Sequence, residues 1–168
     1  YEIPKRDWSS DVCSSDLRFG RRPAGMWPSE GSVSSEVALI AASLGIRWMA
    51  TDEGILAKSG VDLSGGNRGN LYHPYQRGAI TVFFRDRGIS DSVGFQYMNA
   101  PAADAAADLI RRLKETPDNG HLVIALDGEN PWDYYPNSGR DFLRYLFDGI
   151  AKEAGLEAVT LSEEIGRA

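Results

Sequence analysis

Two carboxylates, Glu30 and Asp127, each stand just beyond a short apolar run and beside aromatic rings. Glu30 belongs to Gly25-Met-Trp-Pro-Ser-Glu-Gly31, and Asp127 to His121-Leu-Val-Ile-Ala-Leu-Asp-Gly-Glu-Asn-Pro-Trp132, which carries a second acid at Glu129. Two carboxylates on different strand ends suit glycosidic bond cleavage, in which one attacks the anomeric carbon and the other protonates the leaving oxygen. Retaining enzymes of this kind hold the pair about 5 to 5.5 Å apart. Mutual proximity helps to push the two pKa values apart, keeping one group ionised and the other protonated. Trp27, Trp132, Tyr134 and Tyr135 lie beside these acids and offer ring faces for a sugar. Acids with neighbouring aromatics fit a carbohydrate cleft better than a phosphate site. Asp52 and Glu53 follow another apolar run and form a further pair of strand-end acids.

Each of these residues also has a simpler reading. Glu30 could cap the helix that follows it, because acids near a helix N-terminus are favourable. Asp127 could hold the turn made with Gly128 and Asn130. Glu129 could orient Asp127 or a sugar hydroxyl, or be structural, and Asp52 and Glu53 could be solvated loop acids. Arg85, Asp86 and Asp91 read more readily as a structural ion-pair network than as a catalytic set. His73 is a loop residue or a substrate contact. No spacing of His, Cys and carboxylates suggests a metal site, so metal and cofactor are both expected to be none. Gly65-Gly-Asn-Arg-Gly69 lacks the Lys-Ser/Thr ending of a phosphate loop.

Strands and helices must position these groups. Apolar residues without alternation at 122–126 suit a strand covered on both faces, and further strands are expected at 26–27, 46–50, 79–84 and 158–161. Ser32, Ser34 and Ser35 are candidate N-caps for a helix over 36–44 with Val37, Ile40, Ala41 and Leu44 on one face, and Gly45 is placed to end it. Helices over 102–114 and 140–154 bury Leu109, Ile110 and Leu113, and Phe142, Leu143, Leu146, Phe147 and Ile150. Residues 59–78 read as a long loop whose tyrosines favour a functional role. Trp48 and Phe83 read as core. The order is βα repeated about four times with a fifth strand begun, the signature of an α/β fold with a parallel sheet or barrel. Chemistry in such folds sits at the carboxyl ends of the strands.

Composition sets the outer limits. With 168 residues and 42% hydrophobic content the chain can bury one domain core. Its formal charge of −6 argues against nucleic acid as a partner. No apolar run approaches the roughly 20 residues that span a bilayer, so no membrane partner is expected and the chain reads as soluble. The compartment is open, with the cytoplasm as the favoured reading. Residues 1–17 and 164–168 look foreign. Asp7-Trp-Ser-Ser-Asp-Val-Cys-Ser-Ser-Asp-Leu17 resembles the translation of a sequencing-library adapter, and Glu164-Ile-Gly-Arg-Ala168 can be encoded by the reverse complement of the DNA expected for the end of that segment. Removing both takes three bases (Lys5, Arg6, Arg167) and five acids (Glu2, Asp7, Asp11, Asp16, Glu164), and the balance stays acidic. Cys13, the only cysteine, falls in the first segment and carries no redox inference. The interpretable domain is 18–163.

Gly25-Met-Trp-Pro-Ser-Glu-Gly-Ser-Val-Ser34, Ile46-Arg-Trp-Met-Ala-Thr-Asp-Glu53, Phe84-Arg-Asp-Arg87 with Ser90-Asp-Ser-Val-Gly-Phe95, and Leu126-Asp-Gly-Glu-Asn130 with Tyr135-Pro-Asn-Ser-Gly-Arg-Asp-Phe-Leu143, in this order and spacing, resemble glycoside hydrolase family 57. That family contains α-amylase-, amylopullulanase- and 4-α-glucanotransferase-like enzymes. The resemblance implies the C-terminal half of a (β/α)7 TIM-like barrel acting on α-glucan, with Glu30 as nucleophile and Asp127 as acid/base. Substrate contacts are expected from Trp27, Asp52, Glu129, Trp132 and Tyr135, by their positions beside the strand-end acids. The family's first conserved blocks, including a histidine motif on its first strand, and the helical region after its barrel have no counterpart here. The resemblance therefore implies a chain inactive on its own. A catalytically silent carbohydrate-binding barrel and a metal-dependent carbohydrate deacetylase-like enzyme are the alternatives.

Overall fold

The computed structural model describes residues 20, 22–126 and 132–165. Strands β1 (Gly25–Met26), β2 (Trp48–Asp52), β3 (Tyr75–Arg77) and β4 (Ile80–Arg85) form one sheet in the order β1-β2-β4-β3. β1 pairs parallel with β2, and β2 parallel with β4, in the register Asp52 opposite Arg85. The expected strands at 46–50 and 79–84 are thus realised one or two residues later. β3 was not expected. It forms a short antiparallel hairpin with β4 inside the segment read as a loop, and a 3-10 helix (Gly65–Tyr72) precedes it.

That hairpin explains why residues 122–126 do not form a full strand. β3 occupies the edge of β4 from Ile80 to Val82, leaving only its carboxyl end free. Val123 takes that position in a single parallel bridge to Arg85, its carbonyl accepting from Asp86 N–H at 2.9 Å. The strand expected at 158–161 is absent, and Leu161–Ile165 is helical instead. The cause is a capping box in Thr160-Leu-Ser-Glu163: the Glu163 carboxylate accepts from Thr160 N–H and Oγ1–H at 2.8 Å, and Glu163 N–H returns to Thr160 Oγ1 at 3.3 Å.

Helix α1 (Ser35–Ser43) starts where Ser34 accepts the Val37 N–H, and Gly45 follows it at φ 85°. Its buried face differs from the expected stripe. Ala38 and Ala41 pack with Met49 and Ile80, whereas Leu39, Ile40 and Leu44 are exposed. Small residues let this helix lie close on the sheet. Two short helices follow, α2 (Glu53–Lys58) and α3 (Arg87–Asp91), each capped by the acid before it: Asp52 accepts from Gly54 N–H and Asp86 from Ile89 N–H.

The second layer is the pair α4 (Ala102–Leu113) and α5 (Arg140–Ile150), which pack on each other more extensively than any other two elements among the described residues. Between them lie Ala105, Ala106, Leu109, Phe142 and Leu146, joined by Ile89, Val93, Tyr97 and Tyr135. Phe147, expected on the buried face of α5, is exposed. Phe142 is 1% exposed and touches the rings of Tyr97, Trp132 and Tyr135 at centroid distances of 5.9, 6.5 and 5.4 Å. Phe83 is buried in the sheet as expected, and Trp48 is half-buried with its indole N–H donating to Ser162 at 3.0 Å. Phe142→Ala should cost about 3 to 5 kcal/mol, because it leaves a cavity as well as losing burial. Denaturant unfolding would check this, and a loss below about 1 kcal/mol would mean that the aromatic cluster is not what holds α5.

Candidate active site

Glu30 sits on a turn that its own side chain does not favour. Its φ and ψ are 53° and 23°, the left-handed region, and Gly31 follows at φ 66°. A glutamate there is strained, by a cost of order 1 kcal/mol or more, and persists only where surroundings over-determine it. They do so here. The backbone closes with Gly31 N–H to Pro28 O at 2.9 Å and Ser32 N–H to Ser29 O at 3.0 Å. The fully buried Thr51 of β2 donates its hydroxyl to the Gly31 carbonyl. A β-carbon on Gly31 would stand 3.1 Å from the Trp27 ring, so the glycine also admits the indole. Pro28 and Gly31 are buried while Glu30 is exposed. The turn is thus anchored on both sides of a solvent-facing carboxylate at the carboxyl end of β1.

The neighbouring strand ends form a dense ionic network. Asp52 accepts from Arg85 Nε at 2.9 Å, from Arg87 Nε at 3.1 Å, from Arg87 Nη2, and from Gly54 N–H at 2.8 Å. Burial pushes its pKa up, but the Arg87, Gly54 and Arg85 hydrogen bonds outweigh this and hold it at about 2. Four donors occupy its two oxygens, close to what a carboxylate can accept. Asp52 is therefore a structural hub at the strand end rather than an open sugar contact. Glu53 pairs with Arg68 through two parallel bonds of 3.1 and 2.8 Å and accepts the Arg87 backbone N–H at 3.0 Å. Arg68 also reaches Asp86 at 3.0 Å, and Tyr72 donates to the same Asp86 oxygen at 2.9 Å. Burial raises the Asp86 pKa, yet the Ile89 N–H, Arg68 and Tyr72 bonds bring it below the usual range. Burial, with the Asp86 charge, pushes the Tyr72 hydroxyl up to about 12.

The expected ion-pair role of Arg85 and Asp86 is thus realised, while Arg68, Arg87 and Tyr72 were not anticipated as members. Asp91 ends α3, apart from these bonds. His73 is exposed.

The aromatic residues divide into two groups. Trp27 is 37% exposed, and the Arg85 guanidinium lies over its ring at 5.5 Å. Trp132 is half-buried against Tyr135, with centroids 5.4 Å apart. It leans on Gly139, whose φ is 74° and whose absent β-carbon would stand 2.4 Å from the indole. Tyr135 is 6% exposed and donates its hydroxyl to the Val93 carbonyl at 2.5 Å. Burial pushes that hydroxyl up to about 12. This places Tyr135 behind Trp132 in the core. Tyr134 is exposed. Asp127 and Glu129 lie outside the described residues. Among the described residues, no group of three His, Cys, Asp or Glu side chains is disposed to hold a metal ion, and no helix is long and apolar enough to cross a membrane.

The parallel strands β1, β2 and β4 with their connecting helices make an α/β unit, with the left-handed, solvent-facing Glu30 and the Trp27 ring just beyond the carboxyl end of β1. Residues 16–168 match the model of Glycosyl hydrolase family 57, and the chain belongs to that family. The match runs into both segments read as foreign in the sequence. No curated protein matches the chain. Among solved structures it is similar to the crystal structure of 4-alpha-glucanotransferase from Thermococcus litoralis, with a TM-score of 0.69 and 23% identity. The alignment covers 90% of this chain and 24% of that one. The fold is accordingly α/β, part of a TIM-like barrel, and the chain spans about a quarter of the length of the structure it matches.

The Asp52 hub makes stability depend on acid. Its folded pKa of about 2 lies below the ordinary 3.8, so the stabilisation is complete above pH 4 to 5 and is lost as pH falls through 4 towards 2. The size is about 2 kcal/mol. Asp52→Asn should therefore unfold more readily than wild type at pH 6 and converge with it near pH 2. Thermal unfolding across that range would check this, and parallel curves would remove the ionic hub.

Proposed function

We propose that this chain supplies the catalytic half of a barrel that cleaves or transfers α-glucan by double displacement. Glu30 attacks the anomeric carbon while Asp127 protonates the departing glycosidic oxygen, and a glycosyl ester on Glu30 results. Asp127, now ionised, then takes a proton from water or from a sugar hydroxyl, whose oxygen attacks the same carbon and releases Glu30 as carboxylate. Water gives hydrolysis and a sugar hydroxyl gives transfer. Trp27 serves as a stacking surface near the nucleophile, and Trp132 as a second one backed by Tyr135. Glu129 orients Asp127 or a substrate hydroxyl. Residues 1–17 and 164–168 take no part in this chemistry.

The observation that carries the reading is the left-handed, doubly anchored Glu30 with its carboxylate in solvent. A helix-capping acid would gain nothing from such strain, and α1 is in fact capped by Ser34. Strain at a functional residue is tolerated where it fixes the direction of attack.

In a complete barrel containing this chain, Glu30→Gln should lower kcat on maltooligosaccharides by about a thousandfold or more while leaving glucan binding intact. Wild-type turnover by that variant would sink the nucleophile assignment and support a silent carbohydrate-binding barrel. The 168-residue chain alone should release no reducing ends from soluble starch. Substantial turnover by it would overturn the assignment of missing barrel strands as necessary for catalysis.

A further inference from the structure

We propose that Arg85 is a positioning residue that sets the plane of the Trp27 indole as a sugar-stacking surface, a role that rests on the α-glucan reading above. Arg85 is the last residue of β4, and its side chain is 24% exposed. Its single guanidinium group touches three separate segments of the chain. Nε donates to Asp52 at the end of β2 at 2.9 Å. Nη1 donates to the Ala125 carbonyl at 3.3 Å. The guanidinium carbon lies 5.5 Å from the centre of the Trp27 ring, just beyond β1.

These contacts make the guanidinium more than a partner for one acid. An arginine whose plane is fixed by two hydrogen bonds in different directions can present that plane to an aromatic face. The cation is attracted to the π-cloud it covers, which restrains rotation of the indole. Asp52 is itself held by Arg87 and Gly54, so the anchor behind Arg85 does not drift. Trp27 is 37% exposed as a residue while its partner holds it. On the other side, Gly31 approaches the ring edge from the turn that carries Glu30. Arg85 thereby links the orientation of the stacking surface to the turn of the nucleophile. Lysine could preserve the charge but not the fork and plane.

The test is a double-mutant cycle in a complete barrel containing this chain, with Trp27→Ala, Arg85→Met and the pair, assayed on maltooligosaccharides of increasing length. Trp27→Ala should raise KM about tenfold with a smaller change in kcat, as loss of a stacking anchor does. Arg85→Met should raise KM about three- to tenfold, and the double variant should have a KM no higher than Trp27→Ala alone, because Arg85 reaches the stacking surface only through the Trp27 ring, whatever stability or kcat its bonds to Asp52 and Ala125 contribute. Arg85→Lys should recover thermal stability more fully than it recovers KM. Multiplicative effects of the two single changes would overturn the proposal, as would full recovery of KM by Arg85→Lys. If Arg85→Met does not fold, the same cycle with Arg85→Lys decides between coupled and independent effects. Should Trp27→Ala leave KM unchanged while Glu30→Gln abolishes turnover, the positioning role fails and the catalytic reading stands. Should Glu30→Gln also retain turnover, the catalytic reading fails with it.

Discussion

Convergence of four N–H donors on the Asp52 carboxylate fixes where the strand ends lie relative to one another. Asp52 is the last residue of β2 and faces Arg85 in register on β4, so the ion pair continues the sheet's lateral order past its final backbone bond. From Arg85 the order passes to the Ala125 carbonyl, which belongs to the segment leading into Asp127. From Asp52 it passes to Arg87 and the start of α3. The Asp52–Arg85 pair, with both side chains largely out of solvent, gains more than exposed pairs on α4 such as Arg111 with Asp108. The site is held by its ionic floor more than by its short strands.

The turn of Glu30 follows from the same geometry. β1 has only two residues, too few to hold a strained turn by backbone pairing alone. Thr51, one residue before the hub acid, therefore matters: its buried hydroxyl binds the Gly31 carbonyl and ties the turn to the best-paired strand of the sheet. Consecutive residues of β2 thus serve both sides of the site, Thr51 facing the turn and Asp52 the arginines. A strand's alternation of side chains makes that division of labour available without extra chain.

The sequence disclosed the parallel order of β1, β2 and β4, the acid Asp52 at the end of β2 and the starts of α1, α4 and α5, because each has a local cause. Serine caps, apolar runs and glycine stops all act within a few residues. What it did not disclose depends on partners distant in the chain. The antiparallel β3 is polar, Tyr75-Gln-Arg77, and reads as loop until β4 is there to pair with it. Residues 122–126 look like a full strand because apolar content does not show that β3 already fills most of the neighbouring edge. The apolar stripe of α1 misled for a similar reason, since the sheet selects Ala38 and Ala41 for close approach and leaves the larger side chains outside. The helix at Leu161 was legible, as Thr160 and Glu163 carry the capping-box spacing, but four apolar residues in the run 156–161 outweighed it. Tyr135 shows the limit for side chains: an aromatic next to candidate acids looks like a sugar contact, and only burial with its hydroxyl on Val93 distinguishes a support from a surface.

Charge balance at the strand ends bears on the chemistry itself. Asp52, Glu53 and Asp86 are matched by Arg68, Arg85 and Arg87 through a continuous set of bonds, so the floor of the site is close to neutral. A neutral floor neither repels a second carboxylate nor supplies a free cation to quench a nucleophile. In the double displacement proposed above, positive charge develops on the sugar ring, and a carboxylate on an adjacent strand end would stabilise it without competition from the paired acids. With these three acids paired, Glu30 is the exposed carboxylate in the turn after β1.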